Sequence, residues 1–211
     1  MTLRLGDHAP DFTAETTRGR IRFHDWLGAS WGLLFSHPRD FTPVCTTELG
    51  RLALLHPQFE RRDVKPIGLS IDTVVSHEQW LEDIRETQGS IVHFPIIADV
   101  DRSIAKLYGM LHPNHDPAAT VRTVFVIDPA KKVRLTITYP QTCGRNFDEI
   151  LRVIDSLQLT DAHGVSTPAN WRAGDEVVIL PSITDEDARR RFPQGWHALR
   201  PYLRLTPDPR G

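Results

Sequence analysis

The chemistry in this chain is concentrated in Ser36-His-Pro-Arg-Asp-Phe-Thr-Pro-Val-Cys45. A short apolar segment ends there, a proline-bearing loop follows, and a cysteine falls in the first turn of the next helical pattern. Unpaired N–H groups at a helix start act as partial positive charge and favour a thiolate over a thiol. Thr42 stands three residues before Cys45, close enough for its hydroxyl to reach the sulfur or an incoming oxygen. His37 and Arg39 lie nearby and would add positive field. The same spacing also suits a cysteine that is only a small buried hydrophobe. Spacing alone leaves both readings open.

The elements that would position these residues alternate between strands and helices. Trp31–Ser36 is short, apolar and aromatic, as a buried strand is. After Pro43, the positions Val44, Leu49, Leu52, Leu55 and Phe59 predict a helix with proline in its first turn. Val64–Ile71 reads as a strand, His77–Thr87 as an amphipathic helix, Phe94–Ala98 as a strand and Arg102–Tyr108 as a short helix. The loop Leu111–Pro117, rich in Pro, His and Asn, breaks the pattern. Thr120–Asp128 and Val133–Tyr139 predict a hairpin with one solvated face. Phe147, Ile150, Leu151, Ile154 and Leu157 then recur at helical period. Beyond about Thr160 the chain is proline-rich with short apolar pieces. The pattern predicts an α/β fold with a mixed sheet over residues 1–160 and a smaller lobe or arm over 161–211.

Composition bounds the function. The 211 residues carry 25 Lys+Arg and 27 Asp+Glu, a formal net charge of -2, which gives no electrostatic case for binding nucleic acid or a membrane surface. Hydrophobic residues are 40%, enough for a packed core. The longest apolar run, Trp31–Phe35, falls far short of the ~20 residues of a membrane span. The start Met-Thr-Leu-Arg-Leu-Gly-Asp has no apolar leader core. Two cysteines, Cys45 and Cys143, without CxxC spacing predict neither a disulfide framework nor a zinc site. A cytoplasmic protein is expected.

Pro38-x-x-x-Thr42-x-x-Cys45 resembles the peroxiredoxin active-site motif, and Phe35–Leu49 resembles the one-cysteine, peroxiredoxin 6-like subfamily. Similar segments recur at Pro66–Asp72, Phe94–Asp99, Val121–Asp128, Gly144–Ile150 and Thr167–Trp171. The resemblance implies a thioredoxin-like fold, a central mixed sheet flanked by helices with a small C-terminal domain, assembled as a homodimer or a ring of dimers. It implies a thiol peroxidase for hydrogen peroxide and organic hydroperoxides, with Cys45 as nucleophile, Thr42 and Arg122 on the peroxide, and Pro38 shielding the sulfur. His37, Glu48 and Arg145 match positions around the same pocket. No metal or cofactor is implied, and an external thiol would reduce the oxidised cysteine. Cys143 stands where the subfamily leads one to expect another residue. It is either an incidental small residue or a resolving cysteine.

Other readings compete. A non-catalytic redox sensor or chaperone-like assembly on the same fold would not need Thr42, Cys45 and Arg122 together. Gly28-Ala-Ser30-Trp-Gly32 fits GxSxG, but Ser30 precedes a strand rather than following one. Some relatives of this type are credited with a phospholipase A2 activity through such a serine, a histidine matching His24 and an aspartate. That aspartate's position is Ala130 here, with Asp128 displaced from it. His112, His115 and Asp116 suggest a metal site only weakly, for want of a second cluster. Arg189–Arg191 follows Asp185–Asp187 and reads as a solvated helix face.

Overall fold

The computed structural model describes residues 3–116 and 118–210, so Pro117 of the predicted loop lies outside it. Contacts divide the chain into two compact units, one ending at Phe147 and one starting at Asp148. The sequence reading sets this boundary at 160/161, after the helix that the second unit includes.

The first unit is built on a seven-stranded mixed sheet. Its strands are β1 (Thr13–Thr16), β2 (Gly19–Arg22), β3 (Trp31–Ser36), β4 (Val64–Ser70), β5 (Ile96–Ala98), β6 (Arg122–Ile127) and β7 (Val133–Tyr139). Their order is β2-β1-β5-β4-β3-β6-β7. β3, β4 and β5 run parallel, β6 runs antiparallel to β3, and β7 runs antiparallel to β6. β3 and β6 are buried along their whole length, as central strands covered on both faces must be. β1 and β2 carry no alternation that a sequence reading would notice. They form a hairpin of two four-residue strands at the sheet edge, with Ala14 and Thr16 turned inward.

The helices are α1 (Phe23–Leu27), α2 (Pro43–Glu60), α3 (Val74–Gln88) and α4 (Ser103–Leu107), with α5 (Phe147–His163) beginning at the unit boundary. α2 starts on Pro43, where a missing N–H costs nothing. Its buried stripe is Cys45, Glu48, Leu49, Leu52 and Phe59, so the helical period itself turns Cys45 and Glu48 inward. α3 is capped at both ends: the Thr73 hydroxyl accepts from Ser76 N, and Gly89 closes the helix at φ +62. Its buried residues are His77, Trp80 and Ile84. Thr73→Ala removes the N-cap and is expected to lower stability by about 1 kcal/mol in urea unfolding. The core below the sheet gathers Phe23, Leu27, Leu34, Ile67, Leu69, Ile97, Tyr108 and Phe125.

The second unit holds a separate four-stranded sheet, ordered β10-β11-β9-β8, from β8 (Val165–Ser166), β9 (Val177–Ile179), β10 (His197–Arg200) and β11 (Leu203–Thr206). With α6 (Asp185–Arg191) it encloses Leu159, Trp171, Val177, Ile179, Ala188 and Phe192. Leu159, from the last turns of α5, belongs to this core, which is why the helix groups with the C-terminal lobe. Arg189–Arg191 do sit in the last turn of α6, opposite the acidic first turn, where they complement the helix dipole.

Candidate active site

β3 carries the chain through the core and delivers His37 at its end, where the backbone continues the sheet through His37 N donating to Leu69 O. The loop from Pro38 to Thr42 then turns the chain into α2. Cys45 lies fully buried in the first turn of that helix, and Pro38 is buried beside it in sequence. Thr42 occupies the N-cap position with extended backbone. Its hydroxyl donates to Arg39 O at 3.0 Å, while its carbonyl accepts from Thr46 N. The hydroxyl oxygen therefore has its proton committed and its lone pairs free.

The guanidinium comes from β6, 77 residues away. Arg122 Nη1 is 3.3 Å from Cys45 Sγ and 2.6 Å from Glu48 Oε2. Its Nε and Nη2 both donate to Gln141 O, at 2.9 and 2.8 Å. Arg145 grips the other side of the same carboxylate: its backbone N and Nε donate to Glu48 Oε1, and Nη2 donates to Oε2. Its remaining Nη1 donates to Ser36 O, and its plane lies 5.0 Å from the Phe35 ring. Arg122, Arg145 and Glu48 are all buried. Burial alone would push the Glu48 carboxyl up, but Arg145 and Arg122 outweigh it and hold the group below the usual range.

The structure thus brings Cys45, Glu48, Arg122 and Arg145 together, with Thr42 at the N-cap of the same helix and Pro38 buried in the loop before it, and it reassigns two neighbours. Arg39 is exposed, with Nη2 3.5 Å from Ala118 O, and supplies no hydrogen bond to the sulfur. His37 is fully buried, desolvation pushes its pKa down despite the pull of Asp40, and its ring bonds Asp40 rather than the sulfur. The positive charge expected from these two residues is delivered by Arg122 and Arg145.

Gln141, which the sequence does not single out, holds Arg122 by its carbonyl and is braced in turn by the Pro/His loop. Its N–H donates to His115 Nε2 at 3.3 Å, and its side-chain amide donates to Asp116 Oδ2 at 3.1 Å. His115 and Asp116 are therefore engaged in supporting this segment. Cys143, two residues beyond Gln141, is exposed, whereas Cys45 is buried. Ser30 donates to Asp63 Oδ1 at 2.6 Å, and His24 Nε2 bonds Ala9 O, so the two are tied to different partners rather than to each other.

The match to known proteins agrees with this geometry. Residues 5–136 match the AhpC/TSA family, and residues 156–195 match the C-terminal domain of 1-Cys peroxiredoxin. The chain belongs to the AhpC/TSA peroxiredoxin family. It is 54% identical to a 1-Cys peroxiredoxin of Dictyostelium discoideum, over 98% of this chain and 86% of that one. It is also 54% identical to Peroxiredoxin-6 of Gallus gallus, over 98% of each. A solved yeast mitochondrial 1-Cys peroxiredoxin, studied for thiol resolution through glutathione and thioredoxin systems, superposes with a TM-score of 0.92 at 52% identity. That match covers 98% of this chain and 100% of the other. The C45S mutant of Peroxiredoxin 6 of Arenicola marina superposes at 0.93 with 48% identity, covering 99% and 100%. The thioredoxin-like fold with a C-terminal extension follows, and so does the activity of this peroxiredoxin as a thiol-dependent peroxidase. The non-catalytic sensor or chaperone reading is not favoured. No helix among the described residues is long and apolar enough to cross a membrane.

Proposed function

We propose that Cys45 is the nucleophile that reduces hydrogen peroxide and organic hydroperoxides, with Thr42 and Arg122 holding the peroxide. The observation that carries this reading is the 3.3 Å contact of Arg122 Nη1 with the buried Cys45 Sγ. Two buried arginines share one carboxylate, leaving one positive charge in excess when Cys45 is a thiol. The thiolate neutralises it. Thr42 Oγ, its proton directed at Arg39 O, accepts a hydrogen bond from the peroxide O–H. Arg122 donates to the oxygens as negative charge spreads over them.

The thiolate attacks one peroxide oxygen and the O–O bond breaks. The departing oxygen leaves as alkoxide or hydroxide and takes up a proton, and Cys45 becomes the sulfenic acid. An external thiol such as glutathione or thioredoxin then forms a mixed disulfide with release of water, and a second thiol frees Cys45. Pro38 limits water at the sulfur. His37, Glu48 and Arg145 shape the pocket without touching the peroxide. Exposed Cys143 is the internal rival to the external thiol. The protein acts in the cytoplasm as a homodimer.

The test is intact and peptide mass after one equivalent of peroxide with a sulfenic-acid trap present. The expected result is a trapped adduct on Cys45 with Cys143 still free, and no adduct in Cys45→Ser. An adduct elsewhere would sink the assignment. A Cys45–Cys143 disulfide would overturn the need for an external resolving thiol.

A further inference from the structure

Asp40 is buried in the loop between β3 and α2, and every polar atom of its carboxylate is used. Oδ1 meets His37 Nε2 at 3.1 Å, and Oδ2 accepts from His77 Nδ1 and Ser76 Oγ, both at 2.8 Å. Its backbone N–H donates to Asp72 Oδ2 at 2.9 Å, and Asp72 is held by Ser70 Oγ. The other nitrogen of His77 bonds Ile97 O at 3.1 Å. The Asp40 side chain thus fastens the active-site loop to the start of α3 and, through His77, to β5, while its backbone N–H ties the loop to Asp72 just after β4.

His77 faces an oxygen at each nitrogen, the Asp40 carboxylate and the Ile97 carbonyl. His37 donates from Nε2 to Asp40, which leaves Nδ1 bare. That atom is buried without a partner among the described residues. Asp40 stays ionised: burial would raise its pKa, but His37 and His77 hold it far below the carboxylate range. The ligand-type atoms of His37, Asp40 and His77 lie within 4.8 Å of one another, and both Asp40 oxygens already take hydrogen bonds, so the cluster is a hydrogen-bonded tether.

What the tether holds is strained. Phe41, the next residue, has φ +52, in the left-handed region that a side chain disfavours. The residue is 52% exposed, its ring lying 6.5 Å from that of Trp80, so packing offsets only part of that cost. Thr42 follows immediately, and its hydroxyl is aimed by Arg39 O on the other side of the same turn. We propose that Asp40 is a positioning residue for the peroxide reaction: its side-chain bonds to His77 and Ser76 keep Phe41 in the left-handed conformation that places the Thr42 hydroxyl at the start of α2. This rests on the roles given above to Cys45 and Thr42.

The test is Asp40→Asn, isosteric but uncharged. Two rates are read at Cys45: reaction with hydrogen peroxide, and alkylation by iodoacetamide followed by peptide mass. Alkylation reports the thiolate and its access, and does not use Thr42. The expected result is a peroxide rate lower by roughly 10²-fold, the size of a misplaced catalytic group, with alkylation unchanged or faster. Adding Phe41→Gly should restore most of the rate, because glycine holds a positive φ without the tether. Native peroxide rates in Asp40→Asn, a parallel fall in alkylation, or no recovery with Phe41→Gly would each overturn the proposal. If Asp40→Asn does not fold, His77→Gln and Ser76→Ala keep the carboxylate and are read in the same way. Sulfenic-acid trapping at Cys45 in the native protein tests the underlying site separately. Its failure would remove the site, whereas a native peroxide rate in the variant would remove only the tether.

Discussion

Replacing Arg122 with methionine is expected to slow peroxide reduction by ~10²–10³-fold, the usual loss when a fixed donor to a developing oxyanion is removed. Arg122 contributes in two ways at once. Its Nη1 touches the sulfur, and its planar fork is fixed by two hydrogen bonds to Gln141 O and one to Glu48. It therefore meets the transition state without having to reorganise. The fold should persist in Arg122→Met, because Glu48 keeps three hydrogen bonds from Arg145 and is not left as an unpaired buried charge. Arg122→Lys keeps the charge but loses the fork, and should recover only part of the rate. Rapid-mixing kinetics with hydrogen peroxide, with urea unfolding alongside, checks both statements. A Met variant within a few-fold of the native rate would mean that the helix N-terminus and Arg145 suffice without it.

Glu48→Gln should act in the opposite order, on stability before chemistry. Its carboxylate is the shared counter-ion of two buried guanidinium groups. Removing it leaves two cations facing each other out of water, and breaking a buried pair from one side costs about 3–5 kcal/mol. A drop of that size in urea unfolding, or failure to fold, is the expected outcome. A change near zero would show that solvent reaches the pair. The same group makes a pH prediction. Its folded pKa lies below the ordinary value of 4.5, so its contribution is fully present above that pH. The contribution is lost as pH falls through the lower folded pKa, and acid unfolding of the native protein should be steeper there than that of a folded Glu48→Gln variant.

Much of this was legible in the chain itself. Covalent order and helical period put Cys45 in the first buried turn after Pro43, and they put Glu48 on the same face three residues later. The Pro38, Thr42 and Cys45 spacing carried the family, and most core strands and long helices followed from their apolar periods. The hairpin of β1 and β2 was missed because four-residue polar strands have no period to read. The change in composition sets the edge of the C-terminal part at 160/161, whereas contacts group nearly all of α5 with that part, Leu159 packing in its core.

The charges were different. Proximity in sequence pointed to His37 and Arg39 as the positive field, and the folded chain uses neither. Burial pushes the His37 pKa down and its ring is engaged with Asp40, and Arg39 lies at the surface. Arg122 was placed at the site by family resemblance alone, since a strand-end arginine carries no local mark of what it will face. Its hold on Gln141, the embrace of Glu48 by Arg145, and the reach of Asp40 to His77 all join segments 19 to 97 residues apart. Sequence by itself determined which helix presents Cys45 and that the cysteine lies in its first turn, because those depend on neighbours along the chain. Only the tertiary structure decided the charge around its sulfur, because electrostatics acts through space and the low dielectric of the core exists only once the sheet has closed over it.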